Sequence, residues 1–308
     1  MLQSIEIENF RCFEKTAISG FEQINLITGK NNSGKTALLE ALYFSVTPDY
    51  DSIRLGSIRR INDSNRNEAE LFFNQDINNE LIFRGTMESY KLIKTYQFQK
   101  TVKFRGPENI HVNVHFITNS LENFPEIADS VSQFDKATIA GYEQLFIDAI
   151  QIIDSAIVEI RTFASKPKIL YLRKENEKVY QPIHSYGDAI QKIINYVAVI
   201  SDFFIEKRDY QALLIDEIEN GIHYTAQAEV WRMLMKLCKH YNIQLFATTH
   251  SLEMIKAYQQ VCSEKEFEGM GGYFELGRSP KTQQIIGVKH DLETLEYELA
   301  SGDTIRGE

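Results

Sequence analysis

The chain has 308 residues, of which 43% are hydrophobic, and it carries a formal net charge of -10. This composition allows a sizeable core in one large α/β domain or in two small ones. No stretch reaches the roughly 18 uninterrupted apolar residues of a membrane helix, so we expect a soluble cytoplasmic protein without a membrane partner. The negative charge excludes a surface that binds nucleic acid throughout and leaves a local basic face for DNA. The cysteines Cys12, Cys238 and Cys262 are scattered and predict neither a disulfide framework nor a zinc ribbon.

The first half of the chain predicts strands, a glycine-rich loop, a helix and then a region of different character. Apolar and polar residues alternate from Ile5 to Phe10, and an apolar run covers residues 24–27. Helical periodicity follows the loop and ends before Pro48. Between about 69 and 118, short runs separated by Asn, Gly and charged clusters predict an antiparallel β insert. These runs are residues 71–73, 81–83, 96–98 and 112–116.

The second half predicts a helical lobe followed by alternating strands and helices. Apolar residues recur every three or four positions from Phe146 to Ile160, within a helical region of about 120–205. Apolar strands at 212–215 and 244–247 flank a helix, an order that predicts a mostly parallel core sheet with binding residues at the carboxyl ends of its strands. We expect a single α/β domain with its core in residues 1–68 and 206–290 and a C-terminal helix at about 291–300.

The segment Gly-Lys-Asn-Asn-Ser-Gly-Lys-Thr at residues 29–36 matches the P-loop pattern at every fixed position. Its glycines let backbone N–H groups curl around phosphates, and the following helix points its positive end at them. Lys35 supplies a charge for the β- and γ-phosphates of ATP, and the Thr36 hydroxyl can bind Mg²⁺. An ordinary glycine turn is the alternative, which the flanking strand and helix disfavour. The residues expected at the nucleotide are Gly29, Asn31, Asn32, Ser33, Gly34, Lys35, Thr36 and Ala37.

Polar residues follow both of the later apolar strands. Asp216 ends the first strand and can bring its charge to the magnesium shell, whereas Glu217 points the other way and can orient or deprotonate the attacking water. Paired acids at a strand end are also common as solvated turn residues. If the strands are neighbours, His250 lies beside these acids and could contact the γ-phosphate. A purely structural histidine is the alternative.

The combination GKNNSGKT, LLIDEIENGIH and FATTHS, opened by IENFRCFE, resembles the ATP-binding-cassette (ABC) ATPases that act on DNA. These include RecF, the SMC heads and, most similar, the ATPase domain of the overcoming-lysogenization-defect (OLD) family. The resemblance covers nearly the whole chain and implies an ABC-type P-loop ATPase head that forms a homodimer around two ATP molecules. Each P-loop is then completed by a signature motif of the other subunit. Residues 185–188 look like that motif, which places Ser185 and Gly187 at the opposite nucleotide; from spacing alone they would be a turn and N-cap.

The resemblance implies further roles. Residues 221–223 occupy the place of the D-loop, which communicates between the two sites, and the histidine there is typical of the OLD branch. Asn9 and Arg11 match an N-terminal Asn-Phe-Arg segment whose arginine lies near the nucleotide. The strand at 112–117 ends in Thr118-Asn119 and not in the glutamine of a Q-loop, so that magnesium contact has no assigned residue.

The C-terminal region departs from full-length OLD proteins. Those proteins continue into a TOPRIM nuclease domain, which needs a glutamate and a set of aspartates around bound metal. Glu275 lies on a strand-like run here, but no Asp-x-Asp pair follows it. We therefore expect no intrinsic nuclease.

Weaker signals concern metal and DNA. His111 and His115 stand four apart, but alternating valines place them on one face of a strand, which disfavours a zinc site. Two sets of basic residues could contact DNA, although solvated loops and hairpin faces carry such charges routinely. The first set is Arg54, Arg59, Arg60 and Arg66, and the second is Arg84, Lys91, Lys94, Lys100, Lys103 and Arg105.

Two functions are compatible with these features. In the first, ATP-dependent dimerisation, or a higher assembly, controls DNA engagement or a separately encoded effector such as a nuclease or toxin in bacterial antiviral defence. In the second, the chain is a DNA-binding repair or structural factor like RecF or SMC that uses ATP as a clamp. A guanine-nucleotide switch is disfavoured because the sequence contains no Asn-Lys-x-Asp motif.

Overall fold

The computed structural model describes residues 1–47, 71–76, 78–96, 103–107, 111–117, 130–164, 168–205 and 208–301. Several residues singled out in the sequence lie outside the described ranges. They are Arg54, Arg59, Arg60, Arg66, Lys100, Thr118 and Asn119. Among the described residues, no helix combines the length and the hydropathy of a membrane span.

Strands and helices alternate along much of the described chain. The strands are β1 (Leu2–Phe10), β2 (Phe13–Ser19), β3 (Ile24–Gly29), β4 (Leu81–Met87), β5 (Lys91–Tyr96), β6 (Lys103–Arg105), β7 (Val112–Ile117), β8 (Ile157–Thr162), β9 (Leu170–Lys174), β10 (Gln181–Pro182), β11 (Tyr210–Ile215), β12 (Gln244–Thr248), β13 (Gly271–Arg278) and β14 (Ile285–His290). The helices are α1 (Lys35–Val46), α2 (Ser130–Ile139), α3 (Glu143–Gln151), α4 (Asp188–Ile205), α5 (Gln227–Tyr241), α6 (Leu252–Cys262) and α7 (Leu292–Ser301).

The core is a six-stranded sheet in the order β14-β13-β3-β12-β11-β7. All neighbouring strands in it are parallel except the edge strand β14, which is antiparallel to β13. Every residue of β11 and β12 is buried, because other elements cover both faces of these parallel strands. The two strands are accordingly rich in apolar residues, with Gln211, Gln244 and Thr248 as the buried polar ones. The sequence prediction of a mostly parallel core sheet is therefore confirmed.

A second, antiparallel sheet in the order β2-β1-β4-β5-β6 covers helix α1. Its strands alternate between buried and partly exposed residues, as expected where one face meets a core and the other meets solvent. Every residue of α1 except Thr36 is buried. The buried Lys94 of β5 donates to the Thr47 carbonyl oxygen just past the end of α1, at 2.7 Å. The two sheets and this cap hold α1, and with it the P-loop, in a fixed position.

Two predictions for the β insert were wrong. Strand β7 belongs to the core sheet, where it runs parallel to β11 along its whole length. Its half-exposed residues reflect an edge position in that sheet. Residues 71–73 contribute a tight turn and a single bridge between Phe72 and Phe10 instead of a regular strand.

The helical lobe also contains a small sheet that the sequence did not predict. Strands β8 to β10 form it in the order β10-β9-β8, although Ile157 and Ile160 were expected on a helix. The register of β8 against β9 shifts between Ile157 and Glu159, and this bulge brings both isoleucines to the buried face. Because of the bulge, two residues that stand three positions apart lie on the same face of the strand, a spacing that is typical of a helix. Helices α2, α3 and α4 pack against this sheet and return the chain to the core.

Candidate active site

The loop between β3 and α1 has the shape of an anion cradle. Gly29, Asn32 and Gly34 all have positive φ angles, of 138°, 60° and 92°. A Cβ on Gly29 would lie 2.3 Å from the carbonyl oxygen of Leu276 and 2.7 Å from Ser33 Oγ, so only glycine fits there. The Ser33 hydroxyl is buried and has no hydrogen-bond partner among the described residues. The loop therefore offers a buried hydroxyl donor to a ligand.

Lys35 supplies the positive charge of this cradle. Its Nζ donates to the carbonyl oxygens of Gly29, at 2.8 Å, and of Lys30, at 2.9 Å, so the ammonium group lies inside the loop. Burial lowers the pKa of Lys35 to about 8, against the raising effect of the Glu217 and Glu219 carboxylates. The charge is thus poorly solvated and held by neutral carbonyls. An anionic ligand would relieve both conditions.

The ends of β11 and β12 bring an acidic residue to the loop. Thr36 Oγ1 donates to Asp216 Oδ2 at 2.9 Å, and Thr248 Oγ1 donates to Asp216 Oδ1 at 2.5 Å. The sequence had placed Thr36 and Asp216 at the same cation, and the structure puts them in direct contact. A hydroxyl and a buried carboxylate are oxygen donors of the kind that Mg²⁺ prefers, so these two residues fit a magnesium site.

Glu217 and His250 lie on the solvent side of this pair. The backbone of Glu217 is left-handed, with a φ of 51°, and its N–H donates to Thr248 Oγ1 at 2.8 Å. Its Oε2 accepts from Asn220 Nδ2 at 2.8 Å. Burial, and then the charge of Lys35, lowers the pKa of His250 below its ordinary value, which keeps the imidazole neutral at neutral pH. The Glu217 carboxylate opposes the lowering of the Lys35 pKa, and the Lys35 charge acts on His250, so both side chains are within electrostatic reach of Lys35.

The predicted signature motif lies apart from these residues. Ser185 ends a short 3-10 turn, Gly187 precedes α4, and both are exposed. No hydrogen bond described for either residue joins it to the P-loop of the same chain. Gly187 has no positive φ, and a Cβ there would meet no atom within 4 Å. The fold of the single chain therefore does not require glycine at this position.

Arg11 takes a position that the sequence could not specify. Its Nε lies 2.5 Å from Glu40 Oε2 on α1, and its guanidinium is also over the Phe10 ring. Asn9 and Arg11 both have positive φ angles, of 57° and 49°. The arginine thereby ties the turn after β1 to the P-loop helix, and its contact with nucleotide stays a prediction.

Two further residues next to the site, Glu219 and Lys192, had no role in the sequence analysis, and a third, Gly221, belongs to the predicted D-loop. The Glu219 carboxylate accepts the backbone N–H of His250 at 2.7 Å through Oε1. Burial lowers the pKa of Lys192 on α4 to about 8, against the effect of Glu219 and Glu217. Gly221, the glycine at the D-loop position, packs closely on α4. A Cβ built on it would lie 3.2 Å from Asp188 Cβ. The sequence signal that could have identified Glu219 is its position as the third acid in the run Asp-Glu-Ile-Glu at residues 216–219.

One of the two histidines at four-residue spacing, His115, contacts an acidic side chain. His115 Nε2 lies 3.2 Å from Asp202 Oδ2, which joins β7 to α4. Within the described ranges, no group of three His, Cys, Asp or Glu side chains is arranged to hold a metal ion.

Comparisons with known proteins identify the type of protein. The family described as "AAA domain, putative AbiEii toxin, Type IV TA system" matches residues 99–256, and an AAA ATPase domain family matches residues 1–120. An ATP/GTP phosphatase of Helicobacter pylori is 26% identical, with 100% of both chains covered. The DNA replication and repair protein RecF of Agathobacter rectalis is 26% identical, with 67% of this chain and 65% of RecF covered.

Solved structures give the fold. An SMC head bound to the C-terminal winged-helix domain of ScpA has a TM-score of 0.62 at 11% identity, covering 96% of this chain and 99% of that chain. A Pyrococcus furiosus SMC head with an extended coiled coil has a TM-score of 0.61 at 10% identity, covering 97% and 98%. The expected ABC-type head is thus confirmed as a fold. With the first family matching half of the sequence, the chain belongs to the AAA domain family that carries the AbiEii description, and it is an ATPase.

Proposed function

We propose that the chain works as a homodimer that closes around two ATP molecules, and that this closure controls DNA engagement or a separately encoded effector. The observation that carries the proposal is the exposed motif at the start of α4. Gly187 is required neither by its backbone angle nor by neighbouring atoms of its own chain. A glycine that the fold does not need is expected where another molecule approaches the backbone closely. The N-terminus of α4 also directs backbone N–H groups and a positive dipole toward a phosphate.

Each half of the proposed site has a defined set of residues. The P-loop of one subunit holds the triphosphate of one ATP, and the signature motif of the other subunit, through Ser185 and Gly187, covers it. The P-loop residues are Gly29, Asn31, Asn32, Ser33, Gly34, Lys35 and Ala37. Thr36 and Asp216 would hold Mg²⁺, which shields charge on the β- and γ-phosphates when bound. Glu217 acts as general base toward the attacking water, and neutral His250 donates a hydrogen bond near the γ-phosphate. Arg11 contributes from the turn after β1.

The variant Glu217→Gln tests this proposal. Loss of the base should lower the rate of ATP turnover by about a hundredfold or more, while the amide keeps the shape of the site. The ATP-bound dimer should then accumulate, since hydrolysis no longer opens it, and sedimentation velocity with and without ATP would detect it. A variant that turns ATP over at the full rate would refute the role of Glu217. A variant that stays monomeric with saturating ATP would refute the shared site.

A DNA clamp is the second candidate, and the antiparallel sheet favours it. Arg84 is paired with Glu6 and Glu8, and Lys94 is buried, so these two residues are not available to DNA. Lys91, Lys103 and Arg105 at the β5–β6 edge remain exposed. Reversal of Lys103 and Arg105 to Glu should weaken DNA binding and lower its salt dependence by about two counterions. Unchanged binding would favour the effector hypothesis, for which the toxin–antitoxin description of the family is the support.

We propose that the chain belongs to the OLD-like branch of the ABC-type ATPases and has a role in antiviral defence. The support is the motif set described above and His223 in the D-loop position. Phage challenge of cells that carry the gene with its neighbours, wild type against Glu217→Gln, tests the role. Equal phage yields from both strains would refute it.

A further inference from the structure

The ends of β11 and β12 are joined by a row of hydrogen bonds that runs outward from the buried Asp216. The Ile218 N–H donates to the Thr248 carbonyl oxygen at 3.0 Å. One step further out, the His250 N–H donates to Glu219 Oε1 at 2.7 Å. Glu219 is therefore the last member of this row and the one that fixes the backbone of His250. Its side chain joins the turn after β11 to the loop after β12.

The second oxygen of Glu219 is in a different environment. Glu219 Oε2 is buried and has no hydrogen-bond partner among the described residues, and the same is true of the fully buried Tyr196 hydroxyl on α4. Lys192 lies one turn before Tyr196 on α4, and burial lowers its pKa. Among the charges that oppose this lowering, the charge of Glu219 has the largest effect. Glu219 thus lies between the loop that carries His250 and the helix that begins with the signature motif.

A packing contact holds α4 at this distance. Gly221, two residues after Glu219, has a φ of 72°, and a Cβ built on it would lie 3.2 Å from Asp188 Cβ and 3.7 Å from Lys192 Cδ. The turn after β11 therefore rests directly on the first two turns of α4. Displacement of α4 along its axis would move this turn and, through Glu219, the backbone of His250.

A buried carboxylate oxygen without a partner is unfavourable, so the fold alone gives no reason for it. The hydrogen bond of His250 could be made by a shorter or neutral acceptor. We propose that Glu219 is a positioning residue for ATP hydrolysis, which holds the His250 loop against Glu217 and joins that loop to α4. This proposal rests on the ATPase activity and is independent of the proposed dimer. Glu219 makes no described hydrogen bond with the P-loop or with the predicted magnesium ligands, although its charge acts on Lys35.

Two variants separate the positioning role from simple folding. Glu219→Ala removes the acceptor and should lower kcat by about 10- to 100-fold, as expected for misplaced catalytic groups, with the KM for ATP within about threefold of wild type. Glu219→Gln keeps an acceptor oxygen for the His250 N–H and should retain kcat within about threefold of wild type. The exposed Glu268 gives the matched control, Glu268→Ala, whose kinetics should be those of wild type.

A spectroscopic measurement reports the contact itself. In protein with ¹⁵N-labelled histidine, the His250 amide proton should lie downfield in wild type and Glu219→Gln and should move upfield in Glu219→Ala. The proposal is overturned if Glu219→Ala keeps the wild-type kcat, if its loss appears in KM alone, or if Glu219→Gln is as impaired as Glu219→Ala. If Glu219→Ala does not fold, the kinetics and the His250 amide shift of Glu219→Gln test the proposal instead. A kcat more than about tenfold below that of wild type, together with an unshifted His250 amide, then overturns the proposal.

Discussion

At the scale of single residues, the P-loop lysine shows which kind of ligand the loop favours. The ammonium group of Lys35 is held by two neutral carbonyls, and burial outweighs the neighbouring carboxylates in setting its pKa at about 8. A bound triphosphate would place several negative charges beside this group and raise its pKa. Above about pH 8 the free protein has lost the proton that the complex retains, so binding must take up a proton.

ATP affinity is therefore expected to be nearly constant from pH 6.5 to about pH 8 and to weaken above it, by at most about tenfold per pH unit. Titration calorimetry with a non-hydrolysable ATP analogue, in two buffers of different ionisation enthalpy, measures the affinity and the proton uptake together. The variant Lys192→Gln is the control, because the pKa of Lys192 is also lowered to about 8. It should retain the pH dependence. Loss of that dependence in Lys192→Gln would show that the titrating group is not Lys35.

Residue contacts were predictable from the sequence where a motif fixes them. The P-loop pattern and an acid at a strand end together imply the contact between Thr36 and Asp216, and the structure shows it at 2.9 Å. The pair of Arg11 and Glu40 belongs to no such pattern. Neither does the contact of Glu219 with the His250 backbone N–H in the loop after β12. Contacts of this kind depend on how loops of the three-dimensional fold meet, so one sequence cannot supply them.

At the scale of elements, the start of α4 allows a test in which stability and activity separate. Gly187→Ala should change the free energy of unfolding by no more than about 1 kcal/mol, because the loss of a good N-cap residue and the reduced freedom of the unfolded chain offset each other. ATP turnover should fall by about tenfold or more, since the added methyl group stands where the opposite nucleotide approaches.

Gly277→Ala is the matched control, because a Cβ at Gly277 of β13 also meets no atom within 4 Å. It should preserve both stability and turnover, as judged by denaturant unfolding and a phosphate-release assay. Wild-type turnover in Gly187→Ala would contradict a role for this glycine at the nucleotide.

Elements with a regular apolar pattern were found where the sequence predicts them, including β3, α1, β11 and β12. Besides residues 71–73, the errors occurred at β7 and β8, for two different reasons. Strand β7 pairs with a strand far along the chain, and its pattern contains nothing that distinguishes a core edge from an insert hairpin. In β8, a bulge places Ile157 and Ile160 on one face and imitates helical spacing. The local sequence pattern predicts whether a segment is a helix or a strand less reliably where long-range pairing or a bulge is involved.

At the scale of the whole molecule, the arrangement of two cores explains why the site has an open side. One core joins α1 to the antiparallel sheet, and the other joins the remaining helices to the opposite face of the core sheet. The P-loop and the strand ends lie between them, at the carboxyl edge of the parallel strands, as open α/β sheets require. The signature motif belongs to the helical side and makes no described hydrogen bond with the P-loop. A second copy of the chain is the occupant that we propose for the open side.

The double variant Ser185→Arg, Glu217→Gln tests whether the two subunits share the site. It places an arginine at the signature motif in a background that is expected to be deficient in hydrolysis. The large side chain should block closure on the opposite nucleotide, so the ATP-dependent dimer should be lost. The affinity of the monomer for ATP should stay within about threefold, because the variant leaves the P-loop of its own chain intact. Ser263→Arg, an exposed serine at the end of α6, is the control and should still form the dimer. Sedimentation velocity and binding of a fluorescent nucleotide to the dilute monomer separate the two effects. A persistent dimer would contradict the shared site, and weakened ATP binding by the monomer would mean that Ser185 serves its own P-loop.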